Sequence, residues 1–231
     1  MDYNRNSGKE PFSENSVHFE NYLSHQPFQF QLGGTNRGEV PYRYYKKLFL
    51  RSRACVFSHF EACLFSSVFS LSFFALLRVG EITTESKSVL GPHVICRQDV
   101  NFNVINGRLE LQLRIRSSKA DQRQNSVTLI IPEQDTELCA VKKLHNYLNI
   151  RESSPLSPLF LHFDGSYLTR FQFNAILRKT LQFCGVTDRI RFHSFRIDRA
   201  SELARKGVPD NDIQKWASDA YSSYIRLNFF N

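Results

Sequence analysis

Negative charge is in short supply in this chain. Only 22 Asp and Glu stand against 30 Lys and Arg, a formal net charge of +8 at pH 7. That balance argues against a basic partner and favours nucleic acid or an acidic membrane surface. Paired thiols are missing too. Cys55, Cys63, Cys96, Cys139 and Cys184 are scattered with no Cys-x-x-Cys, and no His/Cys grouping has zinc-ligand spacing, so no structural metal is expected. The odd count, the apolar neighbours and the lack of a signal peptide point to reduced, buried thiols in an intracellular protein. No apolar run reaches the roughly 20 residues that cross a bilayer. The longest candidate, Ala62 to Leu77, holds four serines and runs directly into Arg78 and Glu81. It reads as a buried core helix. Internal repeats and low-complexity tracts are also absent.

What is present fits one substantial domain. Residues 1–45 are polar, contain Gly33-Gly34 and show no sustained period, which predicts irregular chain with at most a short helix from Val17 to Leu23. Pro41 to Lys47 interleaves aromatic and basic side chains. It suits a nucleic-acid surface, by stacking and phosphate pairing, or a linker snorkelling onto the core. From Ala54 to Leu77 a long helical region is predicted, with Val56, Phe60, Leu64 and Val68 recurring every four residues and Phe57, Leu71 and Phe74 beside them. Arg78 at its end is costly to bury unless paired, and Glu81 is placed to hold it.

Between Asp99 and Pro132 the period becomes 2. Leu109, Leu111, Leu113 and Ile115 alternate with polar residues, Asn106-Gly107 signals a type I′ hairpin, and Val127 to Ile131 supplies a third strand. Arg114, Arg116, Lys119 and Arg123 give one end of this meander a positive edge. The second half is helical. Asp135 is a candidate cap for a helix bearing Leu138, Val141, Leu144 and Leu148, and Thr169 for one that Gly185 ends. Another helix runs from His193 to Gly207.

Chemistry concentrates near the end. His193 and Arg196, three apart, share a helix face and can converge on one anion. Trp216 follows, then Tyr221-Ser222-Ser223-Tyr224-Ile225-Arg226. A guanidinium fork suits phosphate, and a phenol beside cations can attack phosphorus. Singly, each residue has an ordinary explanation: a surface cap, a solvated lysine, a core tryptophan. In order, as Arg at a helix end, Lys in a hairpin, His-x-x-Arg, Trp and Tyr, they resemble the tyrosine recombinase (phage integrase) family. The wording His-Ser-Phe-Arg-Ile is most similar to its eukaryotic branch, carried by cryptons and DIRS-like mobile elements.

The resemblance implies an α+β fold, a mainly helical catalytic domain with a small three-stranded antiparallel sheet. It would occupy residues 51–231, behind an irregular segment 1–50. It also implies roles in cleaving and rejoining DNA through a 3′-phosphotyrosyl intermediate. Tyr224 would be the nucleophile, Arg78 and Arg196 the phosphate clamps, Lys119 the acid for the 5′ oxygen, His193 the base and Trp216 a donor to the phosphate, with Glu81 bracing the site. The implied partners are double-stranded DNA and other recombinase subunits in a synapse, in the nucleus, with no membrane, cofactor or metal.

Three departures keep a second reading open, a DNA-binding or scaffold remnant with impaired turnover. A few residues usual before Trp216 are missing, and Ile213-Gln214-Lys215 meets it directly. Asp198 stands where a small residue is usual, and residues 1–50 are too short for the family's N-terminal clamp. Three missing helical residues would displace Trp216 by about 4.5 Å, enough to slow cleavage severely. Tyr221 stays as the alternative nucleophile.

Overall fold

The computed structural model describes residues 16–18, 42–116, 126–152, 154–186, 190, 192–205 and 207–208. The element that organises it is also the most apolar. Helix α2, His59–Phe74, is buried at Leu64, Phe65, Val68, Phe69, Leu71 and Phe73, and nearly all round along its second half. It does not begin at Ala54 as the periodicity predicts. A 3-10 turn, Ser52–Cys55, comes first, and the Ser58 side chain then caps α2 by accepting from the Glu61 N–H at 3.1 Å. An N-cap residue needs extended backbone, so the helix is reset there. Phe57, expected on the apolar stripe, is thrown fully into solvent.

The segment with aromatic and basic residues before it is not a linker. Tyr42–Arg51 forms helix α1, with Tyr45, Leu48 and Phe49 in the core and Lys46 and Lys47 outside. Positions i, i+3 and i+4 share a helix face, so the three apolar side chains form one stripe. Among the described residues the core thus includes Tyr45, Leu48 and Phe49, within the segment expected to be irregular.

The meander forms where the alternation and the turn signal place it. Strands β2, Val100–Ile105, and β3, Arg108–Ile115, are joined by Asn106 and Gly107 with φ of 51° and 77°, the left-handed pair that a type I′ turn requires. Leu113 faces Leu129 and Leu111 faces Ile131 of β4, Val127–Pro132, and all four are buried. A fourth strand joins them. Ser16–His18, labelled β1, runs parallel to β4, giving the order β1-β4-β3-β2 where a short helix from Val17 was expected.

Helix α4 is Ala140–Ile150. Asp135 does not cap it: the N-cap position is Cys139, four residues on, and Asp135 lies 2.7 Å from Arg108 instead. Helix α5, Arg170–Phe183, starts on the predicted Thr169 with a capping box to Gln172, and Gly185, at φ 66°, ends it. The last described helix, α6, Phe192–Arg205, ends at Gly207, also left-handed. The five cysteines are unbridged, and three are buried while Cys63 and Cys184 are half-exposed. No helix among the described residues is long and apolar enough to cross a membrane.

A half-buried polar link ties α2 to the loop before α5. His162 Nδ1 sits 2.9 Å from the Glu61 carboxylate. That hydrogen bond raises the His162 pKa above its usual value, against the opposing effect of burial. A histidine with a raised folded pKa stabilises fully below its unfolded pKa and loses that stabilisation as pH rises through the folded value. As pH rises above about 6.5, the stability of the parent should therefore fall more steeply than that of His162→Gln. Parallel pH curves for the two, by urea unfolding, would remove this link as a source of stability.

Candidate active site

Two residues after the core helix comes a sharp bend. Leu76 has φ 54°, uncommon for a bulky residue, and its side chain is buried. The bend lets the Leu77 N–H reach back to the Ser72 carbonyl at 3.2 Å, closing the C-terminus of α2. It delivers Arg78 to the N-cap of a one-turn helix, α3, Val79–Ile82. The Glu81 carboxylate accepts from the Arg78 backbone N–H at 2.7 Å and lies 3.4 Å from its guanidinium. Residues three apart on a single turn make this contact almost obligatory.

Glu81 is buried, and burial raises its pKa above the usual carboxylate value. Four influences oppose that rise: the Arg78 N–H, the Arg78 charge, the charge of Arg196 and the hydrogen bond from the Arg78 guanidinium. Arg78 and Arg196, 118 residues apart by number, thus act on one carboxylate. Arg196 lies in the second turn of α6 and is itself buried, not projecting freely.

Helix α6 carries an unusual load of buried charge: Arg196, Asp198, Arg199 and Glu202. Buried charges persist where they are paired. Arg199 meets Glu202 at 2.7 Å and lies over the rings of Phe73 and Phe74, 5.7 Å and 5.2 Å from their centroids. Asp198 accepts a short hydrogen bond from the Tyr45 hydroxyl of α1. Burial and then the Asp198 charge push the Tyr45 pKa well above the phenol range, so this phenol keeps its proton and donates. The Tyr45 ring lies 4.5 Å from that of Phe73 and 5.1 Å from that of Phe195, centroid to centroid. Helix α1 therefore clamps α6 against α2, directly beside Arg196. Sequence reasoning missed this pair. Its two signals were the apolar stripe within Tyr42–Arg51 and an acid where a small residue is usual.

The structure thus brings Arg78, Glu81 and Arg196 together. His193 opens α6, and its side chain lies outside the described residues, as do Lys119, Trp216, Tyr221 and Tyr224. At the sheet end, Arg116 is held 2.8 Å from the buried Asp99.

Two guanidiniums whose charges both reach one buried carboxylate are of the chemistry that binds an anion. The sequence profile of the phage integrase family matches residues 98–220, more than half of the chain. The chain belongs to the phage integrase family. No curated protein matches it closely. Among solved structures, this phage integrase family chain is similar in fold to XerA recombinase, with a TM-score of 0.56, 18% identity, and 84% of this chain and 62% of that one covered. It is similar to the XerH site-specific recombinase in a post-cleavage complex with its palindromic difH substrate, with a TM-score of 0.59, 16% identity, and coverage of 80% and 48%. The FLP recombinase in a Holliday junction complex gives a TM-score of 0.53, 15% identity, and coverage of 84% and 48%. The chain therefore spans between about half and just under two thirds of these proteins' lengths. The mainly helical α+β fold with an antiparallel meander is the fold of this family's catalytic domain.

The Glu81 carboxylate offers a direct measurement. A carboxyl group whose folded pKa is raised keeps its proton longer in the folded state, so its contribution to stability declines as pH climbs from about 4.5 upward. Glu81→Gln keeps an acceptor for the Arg78 N–H and lacks that decline. Its unfolding free energy should gain on the parent between about pH 4 and pH 7. A gap that does not change with pH would mean that burial leaves this carboxyl untouched.

Proposed function

We propose that this chain is the catalytic domain of a site-specific recombinase that cleaves and rejoins duplex DNA through a 3′-phosphotyrosyl intermediate. The observation that carries the reading is the convergence of Arg78 and Arg196 on Glu81 within a chain of this family. Two guanidiniums braced by one carboxylate form a fixed clamp for a phosphate whose negative charge grows in the transition state. Tyr224 attacks phosphorus, His193 takes its proton, Lys119 protonates the departing 5′ oxygen, and Trp216 donates to a phosphate oxygen. The DNA substrate and further recombinase subunits in a synapse are part of this reading. So are descent from a eukaryotic crypton- or DIRS-like mobile element and action in the nucleus. Residues 51–231 would form the catalytic domain, with α1 as the brace that reaches into it.

Duplex binding by such a chain should be strongly salt-dependent. With about six phosphates neutralised, log K should fall with a slope near −5 against log salt. A salt-indifferent affinity would reject nucleic acid as the ligand. Turnover is tested with a suicide substrate nicked beside the cleavage position. A recombinase traps a covalent protein–DNA adduct that denaturant does not dissociate. Salt-dependent binding with no adduct would mark the chain as a DNA-binding remnant. Relaxation of any supercoiled plasmid would point instead to a topoisomerase.

A further inference from the structure

Beyond the N-terminus of α2, away from Arg78, segments rich in basic residues and free of acidic ones come together. Helix α2 has sixteen residues, about 24 Å of rise, with Arg78 after its C-terminus and Phe57 before its N-terminus. Helix α5 spans the same distance in the opposite sense. Thr169, its cap, bridges to Thr84 near Glu81, while the Nζ of Lys179 donates to the Cys55 carbonyl at 2.9 Å. Helix α1 packs on both α5 and the 3-10 turn. Neither residues 42–60 nor residues 170–187 contain an Asp or Glu. The nearest acids in sequence are Glu61, which is engaged by His162, and Asp188.

This face carries exposed cations and, beside them, exposed rings. Phe57 is 102% exposed and Phe183 is 53% exposed. Each has a cation over one side: the Lys179 Nζ is 5.1 Å from the Phe57 centroid, and the Arg51 Cζ is 5.7 Å from that of Phe183. Lys47 and Arg178 are exposed on the same helices. Lys179 and Phe183 are four apart on α5, so the two ring–cation pairs lie roughly 6 Å from each other along its axis. A fully exposed Phe contributes nothing to the core. Held next to a cation with its other side open, it is a stacking platform flanked by a phosphate partner.

We propose that the face formed by α1, the turn Ser52–Cys55 and the C-terminal half of α5 binds an unpaired nucleic-acid strand, some 24 Å along α2 from the Arg78–Arg196 cleft. Charge selects a polyanion. The rings select one whose bases are free, since a duplex keeps its bases stacked and out of reach. The inference does not depend on DNA cleavage, because neither Arg78 nor Arg196 belongs to this face.

The test uses the full chain with labelled oligo-dT, oligo-U and duplex DNA of equal length, comparing parent, Phe57→Ala and Phe57→Tyr. Phe57→Ala changes no charge and, in a fully exposed position, leaves no cavity. It should weaken both single strands about tenfold and leave the duplex within twofold, while Phe57→Tyr binds like the parent. Equal loss for oligo-dT and oligo-U assigns the face to single strands in general, and loss for one alone assigns it to that nucleic acid. Parental single-strand affinity in Phe57→Ala, or equal loss for the duplex, would overturn the proposal. So would competition by polyglutamate as effective as by oligo-dT, which would assign the face to an acidic protein segment.

Discussion

Arg196→Ala should abolish covalent capture of DNA by this chain. A clamp on the transferring phosphate contributes to the transition state and little to the ground state. Its loss should cost roughly 3 kcal/mol or more, a fall of about two orders of magnitude or beyond in adduct rate. The sequence alone suggests a side chain reaching out to DNA and dispensable for folding. The buried position of Arg196 and its influence on Glu81 change that expectation. Removing the guanidinium takes one of two positive charges from a buried carboxylate, so the variant should also lose some stability. Arg196→Lys separates the two effects. It keeps the charge near Glu81 and loses the planar fork, so it should recover stability and leave capture depressed. Capture at the parental rate by Arg196→Ala would remove this residue from the chemistry.

Phe195→Ala should cost about 3–5 kcal/mol, read as a lower urea midpoint with an unchanged slope. Phe195 is fully buried, and its ring lies among those of Tyr45, Phe49, Phe69, Phe73 and Phe192. Such a hole cannot collapse cheaply, because its walls come from α1, α2 and α6 together. Since Arg196 is the next residue, capture should fall with stability even at temperatures where the variant is folded. A cost below about 1 kcal/mol would mean that the cluster repacks and that α6 is not fixed by it.

How much of this was legible depended on range along the chain. The meander was readable because alternation and Asn106-Gly107 are local signals, and β2, β3 and β4 fall where they indicate. Thr169, Gly185 and Gly207 mark helix ends through conformations that neighbouring residues alone determine. Helix α1 was not readable as core. Its stripe of Tyr45, Leu48 and Phe49 is interleaved with Lys46 and Lys47, and three apolar residues in one turn do not establish a period. Strand β1 has three residues, too few for any pattern, and its partner β4 begins more than a hundred residues later. Ser58 reset a helix that hydrophobicity alone carried straight through.

The candidate site divides in the same way. Arg78 and Glu81 are one turn apart, so their contact could be read directly. Arg196 was brought to them only by family resemblance, since no local pattern reports that α6 packs against the end of α2. Asp198 was visible as a departure, and its meaning was not. Its partner Tyr45 lies 153 residues upstream, and a hydrogen bond across that separation leaves no trace in either neighbourhood. The acid thus ties α6 to α1 through the Tyr45 hydroxyl.

The most direct test of the central claim is where DNA becomes attached. After capture on a nicked duplex, trypsin should release the peptide from Trp216 to Arg226, which contains both Tyr221 and Tyr224. Fragmentation of that peptide by tandem mass spectrometry locates the nucleotide remnant. The account predicts it on Tyr224, joined through a 3′ phosphate, and absent from Tyr224→Phe. A remnant on Tyr221, a 5′ linkage, or no covalent remnant in a chain that binds the duplex would contradict it.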